Sequence, residues 1–270
     1  MCGEGILDSM PDRPRSSYRE LPPPDALVPY VACLWEHRIG DGDLAYDQPI
    51  LPDGCIDLVV FGGDVLMAGP ATRPMNLRFA PDSFLVGVRF RPGAAPPLVG
   101  VSAAELRDLE IPMDELWGRA GAAVRERSIE ASGPAERLEV LTDAVADRID
   151  SAPAIDPVAT GIAATLARRP AVPVRLLADH VALSERQLRR RVEAAVGYPP
   201  RTLARILRFQ RFLHAARSAP PGRRNLAGLA AEVGYPDQAH LTRESRQLGG
   251  LPPAALLDWE AQRLGQHAED

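Results

Sequence analysis

Leu229-Ala230-Ala231-Glu232-Val233-Gly234-Tyr235-Pro236-Asp237-Gln238-Ala239-His240-Leu241-Thr242-Arg243-Glu244 is the stretch on which the reading of this 270-residue chain turns. An apolar helical segment stops at Val233-Gly234, and Asp237 after Pro236 supplies the polar cap that opens a second helix. The same plan stands earlier in the chain. Leu177-Ala178-Asp179-His180-Val181 aligns with Leu229 to Val233 at an offset of 52 residues, and Leu188, Arg190, Gly197 and Pro199-Pro200 align with Leu241, Arg243, Gly250 and Pro252-Pro253 at an offset of 53. The second turn therefore holds one extra residue. In the first copy the cap is Ser184, with Gln187 three residues on in capping-box form. An internal repeat of helix, short turn and capped helix is the helix-turn-helix plan.

Charge follows the same division. The net charge of -5 conceals balances of -10 from Met1 to Pro173, +8 from Val174 to Leu257 and -3 from Asp258 to Asp270. A basic segment within an acidic protein is the footprint of a polyanion partner, or else a solvated helical face. Cys2, Cys33 and Cys55 are odd in number and far apart, which argues for reduced thiols over a disulfide framework. No stretch reaches the roughly 18 apolar residues of a membrane helix, and the first residues lack a basic region leading into an apolar run. A cytoplasmic location is the expectation.

Residues 1–17, with Gly, Pro, Asp and Ser and no periodicity, read as a disordered leader. Over 18–117, short apolar runs alternate with Pro and Gly. Val31 to Glu36, Ile56 to Phe61 and Phe84 to Phe90 read as strands of a β-rich, small barrel-like domain. Ser102-Ala103-Ala104-Glu105 has capping-box form and predicts a short helix carrying Leu106 and Leu109. Strand signals end at Gly118. Within a helical linker over 118–170, Leu138, Leu141, Val145 and Ile149 recur at helical spacing, so that helix rests on the domain or on a second subunit. The expected class is α+β: the β-rich regulatory domain, then an all-α domain of two helix-turn-helix units over 171–258, and an acidic tail over 259–270.

The segment from Pro173 to Leu257 resembles the double helix-turn-helix domain of the arabinose-operon regulator (AraC/XylS) family of bacterial transcription factors. The resemblance rests on Leu177-Ala178 with Ser184, Leu188 and Arg190, on Gly197-Tyr198-Pro199-Pro200, and on the second motif from Leu229 to Glu244 with Gly250-Leu251-Pro252-Pro253. Two positions depart from the family pattern: Arg191 replaces an apolar residue and Ser245 an aromatic one. The motifs Leu34-Trp35-Glu36, Leu51 to Leu58, Gly69-Pro70 and Gly87 to Ala94 are similar to an uncharacterised, DUF6597-like domain often fused ahead of such a unit. The resemblance implies sequence-specific binding of double-stranded DNA, contact with RNA polymerase, activation more often than repression, and a sensing role for the N-terminal domain.

With Leu188 pointing inward, Arg186, Arg189, Arg190 and Glu193 take the outer side of the first recognition helix. The matching positions of the second are Ala239, Thr242 and Arg243, flanked by Gln238 and His240. Arg can bond guanine O6 and N7, Gln can bond adenine, and Thr can touch a thymine methyl. Arg186, Arg189, Arg190, Gln238, His240, Thr242 and Arg243 are accordingly the candidate base contacts. Arg175, Ser184, Arg201, Arg205 and Arg223 are the candidate backbone contacts. The alternative is that some of these Arg pair with Glu185, Glu193 or Glu244. Arg201 to Arg217 reads as the helix joining the two units.

In the N-terminal half, Trp35, Asp53, Asp57, Arg89 and Arg91 are the candidate effector residues. Arg89 and Arg91 share a strand side and would hold an anionic effector, or pair with Asp53 and Asp57. Cys33, His37 and Cys55 lack the spacing of a metal site, and no cofactor is called for. Catalytic motifs such as G-x-S-x-G, the P-loop and G-x-G-x-x-G are absent, so no enzyme is expected. The leading reading is a DNA-binding transcriptional regulator controlled by an effector or partner at its N-terminal domain, acting as a monomer or homodimer. The alternative is a small-molecule-binding or enzymatic N-terminal module with secondary DNA binding.

Overall fold

A computed structural model describes residues 17–40, 45–219 and 225–265 of the chain. The expected leader, but for its last residue, lies outside the described residues. Alternating apolar runs in the first half pair into an antiparallel six-stranded sheet. Its order is β1 (Ser17–Leu21), β2 (Val31–Arg38), β7 (Phe84–Phe90), β4 (Asp57–Phe61), β5 (Asp64–Ala68) and β8 (Glu110–Pro112). β3 (Tyr46–Ile50) and β6 (Met75–Phe79) form a separate two-stranded ribbon. The sheet stays open at β1 and β8, and Leu77 and Phe79 of the ribbon pack against Trp35, Val59 and Leu85 of the sheet.

Because side chains alternate along a strand, the sheet has two apolar faces. Leu58, Val60, Val86 and Val88 meet α3 (Arg119–Glu130) and α4 (Pro134–Ile149) on one face. Trp35, Val59 and Leu85 take the other, beside Phe79 of the ribbon. Gly87 stands opposite Trp35 in the β2–β7 register, and a Cβ there would sit 2.5 Å from the indole. Glycine is what allows the indole to lie flat across the sheet.

The helix expected to link the halves therefore rests on its own sheet. Leu138, Leu141 and Val145 belong to the first core, whereas α5 (Pro157–Arg168) belongs to the second, so the two cores divide between Ile149 and Pro157. Short helices α1 (Ala95–Val99) and α2 (Met113–Trp117) flank the sheet. One expected helix does not form. Ser102 N–H reaches Glu105 Oε2 at 3.0 Å as a capping box would, but Asp108 turns to φ +60°. Leu109 O then accepts from Gly69 N–H at 2.9 Å, and the chain enters β8 beside β5. Sheet pairing has taken the residues that a helix would have used.

The second half is all helix: α6 (Val174–His180) and α7 (Glu185–Val196), then α8 (Pro200–Ser218), α9 (Leu226–Glu232) with α10 (Gln238–Gly249), and α11 (Pro253–Gly265). α11 runs past Asp258 into the expected acidic tail, because Leu256 and Leu257 anchor it to the core. Ile206, Phe209, Phe212 and Leu213 of α8 are fully buried, and α8 touches α5, α7, α9, α10 and α11. No described helix is long and apolar enough to cross a membrane.

The halves meet along the C-terminal end of α7 and the middle of α8. Ala103 N–H donates to Ala194 O at 2.8 Å, Arg107 pairs with Glu193 at 2.9 Å, Tyr198 Oη donates to Ala71 O at 2.6 Å, and Gln210 Nε2 donates to Pro52 O at 2.7 Å. Gly197 closes α7 at φ +88°, and a Cβ on it would lie 2.3 Å from Pro70 Cγ. Gly234 has the same φ of +88°, with Ala171 Cβ 3.9 Å from a Cβ built there. Gly234→Ala is expected to cost about 1–2 kcal/mol from its left-handed backbone alone. Gly197→Ala should cost more, since Pro70 must also move. Thermal unfolding of the two variants measures the difference, and equal losses would remove this close approach as a constraint on the fold.

Candidate nucleic-acid interface and the cavity beside it

The sequence repeat reappears as matching backbone geometry. Leu183 N–H donates to Ala178 O at 3.0 Å, and its counterpart Tyr235 N–H donates to Ala230 O at 2.8 Å. Between them sit the two positive-φ residues, Ala182 at +52° and Gly234 at +88°. Pro236 is the extra residue of the second turn. Ser184 Oγ accepts from Gln187 N–H while Gln187 Oε1 accepts from Ser184 N–H, a complete capping box, and Asp237 caps α10 through His240 N–H at 2.6 Å.

Leu188, Val192 and Val196 bury the inner side of α7, and Leu241, Ser245 and Leu248 that of α10. Outward on α7 stand Arg186, Arg189 and Arg190; outward on α10 stand Gln238, Ala239 and Arg243. Among the described residues, none of these four Arg takes part in an ion pair. Those that do pair with Glu193 and Glu244 are Arg107, Arg205 and Arg208, none of them in a recognition helix. Arg175 and Arg201 are exposed, Ser184 is the α7 cap, and Arg223 lies outside the described residues.

Three of the expected contact residues also have partners inside the protein. The His240 ring packs on Tyr235 with centroids 5.8 Å apart and its Nε2 lies 3.3 Å from Glu244 Oε1, while 36% of the side chain stays exposed. Arg205, expected on a phosphate, is drawn to Glu244 at 2.9 Å and to Gln247. Thr242 is half-buried and its hydroxyl donates back to Gln238 O at 2.9 Å, a bond that leaves the expected methyl contact untouched. The two departures from the family pattern also resolve. Arg191 is exposed and grips Asp156, the α5 cap, at 2.8 and 3.0 Å, while buried Ser245 donates to Leu251 O at 2.7 Å. Burial opposes the Asp156 charge, but Arg191 and two backbone N–H groups hold its carboxyl below the usual range.

Sequence reasoning missed the group beneath α10. Glu244 is 4% exposed and accepts from Arg205 and from Arg208, whose guanidinium lies 4.6 Å over the Tyr235 ring. Burial alone would raise the Glu244 pKa; the Arg pair and His240 hold it below its ordinary value. Nothing in the sequence aligns α8 with α10, so only the fold brings these residues together.

In the first half, four of the five candidate effector residues form one linked group. Arg89 meets Asp57 through two bonds of 3.0 Å, Asp53 at 3.3 Å and Glu20 at 3.9 Å, and Trp35 Nε1 points at Asp57 from 3.4 Å. Burial pushes the Asp57 carboxyl up against the opposing pull of Arg89. Arg91 does not join them. β7 has ended at Phe90, and the turn sends Arg91 Nε to Val28 O at 2.6 Å, so no pair of Arg on one strand side awaits an anion. Trp35, Asp53, Asp57 and Arg89 border a cavity of about 640 Å³ between the sheet and the β3–β6 ribbon. Gln210 and Arg217 of α8 and Trp259 of α11 reach it from the other half, a convergence that no local pattern of residues signals. Cys33 and Cys55 are free, burial pushes the Cys33 thiol up to about 11, and the described residues hold no group of metal-ligating side chains.

Residues 19–112 match a domain of unknown function (DUF6597), and residues 177–258 match a helix-turn-helix domain. No curated protein matches the chain. Among solved structures, one of ToxT from Vibrio cholerae is similar over 79% of this chain and 96% of its own, at 10% identity and a TM-score of 0.43. An apo ToxT variant from Vibrio cholerae strain SCE256 is similar over 90% of this chain and 96% of its own, at 10% identity and a TM-score of 0.41.

The Glu244 group makes a prediction about pH. A carboxyl whose pKa is lowered by folding contributes its stability above the ordinary value of 4.5 and loses it as pH falls below that value. Glu244→Gln should destabilise the protein by about 1–3 kcal/mol at neutral pH, because Arg205 and Arg208 lose a charged acceptor. It should also flatten the loss of stability below pH 4.5. Denaturant unfolding of both proteins at a series of pH values checks this, and an unchanged acid limb in the variant would contradict it.

Proposed function

We propose that this chain, a DNA-binding transcription regulator with an AraC-type helix-turn-helix domain behind a DUF6597 domain, reads DNA through α7 and α10 and answers to an effector held by its first half. The observation that carries the DNA-reading part is the pair of capped recognition helices whose outward Arg186, Arg189, Arg190 and Arg243 are left without internal ion pairs. Charged side chains with no partner inside the protein are at hand for phosphate oxygens or for guanine edges. Arg175 and Arg201 add positive charge for the backbone.

Two recognition helices on one side of a duplex enter successive major grooves about 10 base pairs apart. The operator is therefore a site of about two helical turns. Support for effector control comes from the cavity, since α8 and α11 border it from the DNA-reading half while the sheet and ribbon border it from the other. A molecule bound there touches both halves at once.

Footprinting on the DNA upstream of the chain's own gene, with non-specific duplex as competitor, tests the reading. Protection of a discrete site is the expected result; protection that competitor abolishes would contradict it. Arg243→Ala and Arg190→Ala are each expected to weaken specific binding by about 1–3 kcal/mol and to relax preference at one base pair. His240→Ala should leave sequence preference unaltered. A loss that is equal on every sequence would reassign the Arg in question to phosphate.

A further inference from the structure

We propose that the cavity between the six-stranded sheet and the β3–β6 ribbon binds a lipophilic organic cation, an aromatic or alkyl tail carrying an ammonium-type head. This deepens the effector reading above and rests on it for the regulatory consequence, though not for the binding itself.

The walls decide the tail. Phe61, Leu66, Leu77 and Leu85 line the space together with the rings of Trp35 and Phe79. At about 640 Å³ the cavity has the size of a site for a small organic molecule, and such sites are apolar with a few polar anchors. The rings add a preference of their own, because an aromatic face attracts a cation and repels an anion.

The charged end decides the head. Arg89 is surrounded by Asp57, Asp53 and Glu20, three carboxylates to one guanidinium. Asp57 already engages Nε and Nη2 of that guanidinium, so an anion arriving there meets an occupied Arg and an excess of two negative charges. A cation meets the reverse. Asp53 is the natural anchor: it keeps 37% of its side chain exposed, borders the cavity, and holds Arg89 only at 3.3 Å. The remaining ionisable groups on the lining are Glu110, Arg217, His37 and Tyr18, whose phenol burial keeps protonated; Glu110 and Arg217 oppose one another, so the balance is not reversed. The anionic effector expected from Arg89 and Arg91 is thus disfavoured by the same geometry that separates those two residues.

The test uses the full-length protein and three probes that share one tail: 4-phenylbutylamine, 4-phenylbutanol and 4-phenylbutyrate. Binding is read by calorimetry and by quenching of tryptophan fluorescence, to which Trp35 and Trp259 on the lining contribute. The amine is expected to bind saturably and at least about fivefold more tightly than the alcohol, with the carboxylate weakest. Asp53→Asn, which retains an oxygen for the Cys55 N–H, should remove that preference and leave the alcohol unaffected. Equal binding of all three, tighter binding of the carboxylate, an unaltered preference in Asp53→Asn, or no saturable binding by any probe would each overturn the proposal. Footprinting with and without the amine separates the two readings. Selective amine binding that leaves the footprint unchanged supports the ligand class and overturns effector control, whereas an intact footprint with no amine binding overturns the ligand class alone.

Discussion

Helix α8 can hold two DNA-reading units only because it is apolar on more than one side. Ile206, Phe209, Phe212 and Leu213 are fully buried, and the helix meets α5 and α7 of one unit and α9, α10 and α11 of the other. An amphipathic surface helix offers a single stripe, which would serve one neighbour. Several polar residues of α8 hold other elements: Arg205 and Arg208 hold Glu244 of α10, and Gln210 holds the backbone of Pro52 in the first half. Both recognition helices are thus mounted on one rod of 19 residues, and the same rod borders the cavity.

The arginines divide by what their surroundings offer. Those next to a buried carboxylate are spent inside, as in Arg205 and Arg208 on Glu244 or Arg89 on Asp57. Removing water from a charge is costly unless a partner replaces it, so buried carboxylates draw in whichever guanidinium the fold brings near. Those on the outer sides of α7 and α10 have no such carboxylate within reach and remain charged and solvated. Internal pairing also takes Glu193 and Glu244 away from that face, and Glu185 stays exposed on α7 beside the arginines.

Much of the second half was legible in the sequence. The offsets of 52 and 53 residues placed both turns, both caps and the inward Leu188 and Leu241, because a repeat constrains each position twice. Arg191 and Ser245 were marked as departures, and each turns out to satisfy a specific partner. What could not be read was any contact that depends on how separate elements meet. His240 sits where helical spacing allows an outward ring, yet Tyr235 and Glu244 also engage it. Arg91 shares its parity with Arg89, yet the strand ends one residue too soon. Ser102 to Glu105 is a sound local helix start that sheet pairing overrides. The cavity lies furthest from sequence reasoning, since its lining comes from strands, ribbon, α8 and α11 at once.

The glycine that closes α7 has a bearing on how such proteins diversify. At Gly197 one missing methylene satisfies two unrelated demands, the left-handed end of a recognition helix and the passage of the Pro70 segment across it. The two halves are in that sense not interchangeable parts. A second half drawn from another lineage would fit this first half only if it closed the helix corresponding to α7 with glycine and presented a carbonyl of that helix's last turn to Ala103 N–H. Exchange of whole domains is then restricted to lineages that share this joint, and new specificities arise more readily by substitution on the outer helix faces, which the joint leaves untouched.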